Sequence, residues 1–125
     1  MSLKLAANAG GFEVTVEACF VGEDLLIICA GGDRPHIGAV AVAVFTGTGR
    51  EPQVELIRVA NHREDELSAA AALKISTTLE CTVTFIAGMH WDTISKAGIA
   101  QVLANVESLV DQLIDRLPGQ AKERP

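Results

Sequence analysis

Tyrosine is missing from this sequence altogether, and aromatic residues make up only 4% of it. That excludes a ligand clamp built from several stacked rings. Basic residues are in deficit, 10 Lys and Arg against 16 Asp and Glu, for a formal net charge of −6. Nucleic acid and anionic membranes both call for a basic surface, so neither is expected as a partner. No apolar run approaches the length of a membrane span. The opening "MSLKLAANAGG" lacks the apolar stretch of a secretory signal, so a cytoplasmic location is expected. Cys19, Cys29 and Cys81 are odd in number, have no CxxC spacing and fall in apolar segments. They read as buried thiols rather than as a disulfide framework or a metal site. Repeats and internal linkers are absent too, as are a phosphate-loop pattern and a Ser or Cys placed beside a His in a nucleophile turn.

What is present is a chain of 125 residues, 49% of them hydrophobic, enough to bury one core. Residues 1–117 are expected to form a single domain, and "PGQAKERP", 118–125, a flexible tail. "FEVTVEACF" alternates strictly, with Phe12, Val14, Val16, Ala18 and Phe20 on one face, the mark of a half-buried strand. "LLIICA" and "GAVAVAVF" are strands apolar on both faces. "QVELIRVA" follows the hairpin-like "TGTGREP". The four strands are expected as an antiparallel meander. At Asn61 the period changes to that of a helix, with Asn61 and Glu64 spaced as a capping box. "CTVTFIAG" is a fifth strand, parallel to the fourth across a crossover. Asp92 or Thr93 caps a long helix whose apolar stripe is Ile99, Val102, Leu103, Val106, Leu109, Val110, Leu113, Ile114 and Leu117. The expected class is α+β, in the order β-β-β-β-α-β-α, a mixed five-stranded sheet with two helices on one face. The strands apolar on both faces leave the second face in need of a cover, so a homodimer through the sheet face is expected.

Strand direction then places the chemistry. The second, fourth and fifth strands run the same way, so the stretches after them should converge on one edge. These are "GGDRPHIG", "NHRE" and "GMHWD". They hold all three histidines, His36, His62 and His90, with Arg34, Arg63, Trp91, Asp33 and Asp92. Both helix N-termini should point there, which suits an anion or a polar ligand. Plainer roles stand beside this: His36 bonding its own turn, His62 exposed in a first helical turn, His90 and Trp91 packing at a strand end. A zinc site from three His and an Asp has no HxH or HxxxH pair to anchor it.

"GGDRPHIGAVAVA", "NHREDEL" and "AGMHWDTIS" followed by "I..VL.NV..L" resemble the LpdD-like prenylated-flavin chaperone family, whose members accompany UbiD-type decarboxylases. The motifs span roughly residues 25 to 110. The resemblance implies a fold similar to proteasome-assembly-chaperone domains. It also implies a non-catalytic protein that binds prenylated FMN, or delivers it to a UbiD-type non-oxidative hydroxyarylic acid decarboxylase. By position it highlights Pro35, His36, Gly38, His62, Glu64, Gly88 and His90. With the residues read from the loops, the expected cofactor-binding set is Arg34, Pro35, His36, Gly38, His62, Arg63, His90 and Trp91. No catalytic residue or metal ligand is expected. The alternatives are an assembly protein without a small ligand and a His-dependent, metal-using enzyme.

Overall fold

The computed structural model describes residues 2–59 and 64–117. Their order is β1 (Ser2–Ala7), a 3-10 turn (Ala9–Gly11), β2 (Val14–Val21), β3 (Asp24–Gly32), β4 (Ala39–Val44), β5 (Gln53–Arg58), α1 (Glu64–Leu79), β6 (Val83–His90) and α2 (Lys96–Arg116). The mixed α+β class, the two helices and the order of the five expected strands hold. A sixth strand, β1, precedes them. "SLKLAA" alternates like β2, and Leu3, Leu5 and Ala7 pack against the core from the edge. It pairs antiparallel with β2, Leu5 opposite Val16.

The sheet order is β1-β2-β3-β6-β4-β5, and here the expected meander fails. β2 and β3 form one antiparallel hairpin, β4 and β5 another. β6 lies between them, parallel to β3 and antiparallel to β4, not beside β5. The physical reason is in the composition. β3 and β4 are apolar on both faces and suit interior positions, and a strand inserted between them supplies each with a second neighbour. β3, β5 and β6 nevertheless point the same way, as expected.

One face of the sheet carries the core. Val14 and Val16 of β2, Ile27 and Cys29 of β3, Ala41 and Ala43 of β4, and Val83, Phe85 and Ala87 of β6 are buried. α1 packs over β4 and β6, α2 over β1 and β2, and the helices touch each other. The small residues Ala71 and Ala72 of α1 let it approach the alanines of β4 closely. α2 seats Val102, Val106, Leu109, Val110 and Leu113. Leu103, expected in the same stripe, is 42% exposed. Buried Asn105 donates to Ala9 O at 3.1 Å and Phe12 O at 2.8 Å, fastening α2 to the β1–β2 connection.

The α2 cap differs from expectation. Ser95, not Asp92 or Thr93, is the capping residue, its Oγ accepting the Gly98 N–H at 3.0 Å. Asp92 is engaged elsewhere, as described below. The expected Asn61 cap of α1 lies outside the described residues.

On the other face, Leu26 and Ile28 of β3, Ile86 of β6, Val40, Val42 and Val44 of β4 and Ile57 of β5 alternate with the core positions. Ile28, Val44 and Ile57 are among the exposed large apolar side chains. Neither helix reaches this face. Cys19 is half-buried on it, whereas Cys29 and Cys81 are buried, and the three form no disulfide among the described residues. No helix among the described residues is long and apolar enough to cross a membrane.

Candidate functional site

Residues 33–38 connect β3 to β4 by passing over the end of β6. Gly32 has a φ of 82°, a conformation L residues rarely adopt, and a Cβ there would run into the His90 carbonyl. The Asp33 N–H donates to His90 O at 2.7 Å and the Gly38 N–H to Ala87 O at 2.9 Å. Between these anchors the His36 carbonyl lies directly on Gly88, where any Cβ would overlap it. The loop is therefore bolted to β6 by backbone contacts at both ends and by a glycine slot in the middle.

His36 turns inward. Its Nδ1 is 3.0 Å from Arg34 O, and since a carbonyl only accepts, Nδ1 is the donor. Its Nε2 is shielded from solvent and lies 3.7 Å from Glu64 Oε1. Glu64 is buried in the first turn of α1, in the space that the absent side chain of Gly38 leaves. Its Oε1 accepts the Met89 N–H at 3.3 Å. His36, Gly38, Glu64 and Gly88 thus form the inner fastening of the loop, and both His36 nitrogens face protein groups. This geometry matches the plainer reading of His36, as a residue that bonds its own turn.

Arg34, His90 and Asp92 form the outer group. Arg34 Nη2 is 2.7 Å from Asp92 Oδ1, with both side chains well exposed. His90 Nε2 is 3.3 Å from the same oxygen. The Asp92 N–H donates to Asp33 Oδ2 at 3.1 Å, which explains why Asp92 does not cap α2. Trp91 meets Phe12 edge to face, with centroids 5.6 Å apart. Beside this group is an open pocket of about 280 Å³, lined by Glu13, Thr15, Gly31, Asp33, Pro35 and Trp91 among others.

The edge therefore brings together Arg34, Pro35, His36, Gly38, His90 and Trp91, but on two sides. Arg34, His90, Pro35 and Trp91 border the open side, and His36 and Gly38 the buried one. His62 and Arg63 lie outside the described residues. Glu13 and Thr15 were not expected. Their signal was available, because β2 begins at the edge where β3 ends. Electrostatically the pocket lining is acidic. Glu13 and Asp33 line it, and Arg34 is shared with Asp92. Glu64, Asp65 and Glu66 already occupy the first turn of α1. Asp65 is held below the usual carboxylate range, first by the Glu66 amide and then by Arg58, whose Nε lies 2.7 Å away. Among the described residues no three His, Cys, Asp or Glu gather as a metal site.

A structure described as a novel chaperone complex for yeast 20S proteasome assembly contains a chain that covers 88% of this one, over 98% of its own length. Its TM-score is 0.51 at 10% identity, a likeness of fold alone. Protein LpdD of Lactiplantibacillus plantarum is 29% identical over 116 residues, spanning 90% of this chain and 85% of that protein. The model of the prenylated flavin chaperone LpdD-like domain matches residues 8–118. That match takes in both sides of the β3/β6 edge and nearly all of the sheet and helices, so the chain belongs to the LpdD-like chaperone family and is an accessory protein, not an enzyme.

Proposed function

We propose that this chaperone binds prenylated FMN at the β3/β6 edge and delivers it, in the cytoplasm, to a UbiD-type non-oxidative hydroxyarylic acid decarboxylase. The observation that carries the reading is the Trp91-walled pocket beside the loop 33–38. Its lining fits part of a flavin. Trp91 and Pro35 offer apolar surface. At about 280 Å³ the pocket is at the small end for ligand sites, so it takes the ring portion and leaves the phosphate outside. Glu13 and Asp33 repel phosphate from the interior, whereas Arg34 and His90 stand at the rim where it would emerge. A shallow, partly engaging site suits a carrier that must release its cargo.

The test is titration of the protein with prenylated FMN, and with FMN, followed by flavin fluorescence. Trp91→Ala and Arg34→Ala should each weaken binding by about tenfold or more, and both should slow activation of the apo-decarboxylase. Unchanged affinity in both variants would remove the pocket from the reading. A second reading has its own support. The acidic lining by Glu13 and Asp33 suits a basic loop of a partner protein better than an anion. On that reading the protein assembles or holds the decarboxylase without a small ligand, and capture of the decarboxylase would persist with no flavin bound.

A further inference from the structure

The open face of the sheet has a continuous apolar centre. In one row Ile28 lies beside Ile86, Ile86 beside Val40, and Val40 beside Ile57. In the next, Leu26 and Val42 flank Thr84. Ile28 is 40% exposed and Ile57 66%. The charged residues of this face stand towards its rim: Lys4 on β1, Glu17 on β2, Asp24 at the start of β3 and Glu55 on β5. We propose that this face is the contact between two copies of the chain, packed sheet on sheet about a two-fold axis.

Two features favour a second copy over an unrelated protein. A two-fold axis sets every patch against its own mate, so a charge at the centre would meet the same charge. Here the centre is free of charge, and the charges lie towards the rim. The area also suits. Four strands about 4.8 Å apart and six residues long give a patch roughly 20 Å on a side. With side-chain relief, two such patches bury on the order of 1,200–1,600 Å², within the range of specific dimers. Thr15 and Ala30 belong to this face and also line the pocket at the β3/β6 edge, so the second copy borders the pocket. The dimer itself does not depend on the ligand reading.

The experiment is sedimentation of the full chain, of mass 13.2 kDa, with Ile28→Asp, Thr84→Arg and the α2 surface control Leu103→Asp. Circular dichroism confirms folding of each. The wild type and the control should be dimers at about 50 µM, while each face variant should raise the dissociation constant by about 100-fold or more. Two face variants guard against one failing to fold. The proposal is overturned by a monomeric wild type, including one that meets a decarboxylase through this face, or by a dimer that survives both folded face variants. Flavin titration of the same samples separates this outcome from failure of the pocket, since loss of flavin binding alone leaves the dimer result untouched.

Discussion

Gly88 shows how one missing side chain positions a loop. The His36 carbonyl occupies the space where a Cβ would stand, so Gly88→Ala cannot keep both the strand and the loop in place. The expected cost is about 1–3 kcal/mol, as for other overpacked buried sites. Thermal melting should show it, and the amides of Asp33 and Gly38 should lose protection because their acceptors on β6 move. A variant with wild-type melting would show that the loop does not rest on β6. Cys29 makes a different residue-scale statement. Burial pushes its thiol from 9.0 up to about 12. The folded chain therefore keeps this proton where the unfolded chain has lost it, and stability falls as pH climbs from about 9 to about 12. Chemical denaturation across that window should show a shallower decline in Cys29→Ala than in the wild type, whatever the offset between them. With no tyrosine in the chain, only lysine and the other thiols share the window. Parallel slopes in the two proteins would contradict the buried-thiol account.

At the scale of elements, α2 illustrates competition for one carboxylate. Two candidate caps, Asp92 and Ser95, lie close together before the helix. Asp92 is tied to Arg34, His90 and Asp33, leaving Ser95 to accept the Gly98 amide. Ser95→Ala should cost about 1 kcal/mol, and Thr93→Ala close to nothing, both read by urea unfolding. The reverse ranking would mean that the helix starts a turn earlier than described. α2 has a second fastening in Asn105, whose Nδ2 donates to the carbonyls of Ala9 and Phe12 while its Oδ1 accepts from Gln101 of the same helix.

For the whole molecule the governing fact is insertion of β6 between two hairpins. β3, β6 and β4 have neighbours on both sides, whereas β1 and β5 are the edges. Hydrogen exchange should accordingly be slowest at Ile27, Phe85 and Ala41, and fastest along β1 and the outer side of β5. Early exchange at Ala41 and Phe85 together would contradict the β4–β6 ladder. The hairpins close through local contacts, but β6 must wait for α1 to cross the sheet. The long-range pairing of Ile27 with Phe85 is thus the slow step expected of this topology.

Period and composition alone determined the alternation of β2, the two helices and the strands apolar on both faces. Each depends on spacing within a short stretch, and such spacing reports which face of an element meets the core. From direction came the convergence of Arg34, His36, His90 and Trp91 on one edge. Tertiary structure alone decided which strands are neighbours, because period two specifies a face and never a partner. β6 could satisfy its apolar faces beside β5 or between β3 and β4, and only packing of α1 over β4 and β6 selects the second. The strand β1 alternates as β2 does, but a stretch of period two becomes a strand only where a neighbour such as β2 offers an edge. The inward turn of His36 needed Glu64 and Gly88, distant in the chain, to arrive beneath the loop. That is why the His36 ring turns in the fold toward Arg34 O and Glu64, while Arg34, His90 and Trp91 lie on the open side of the edge.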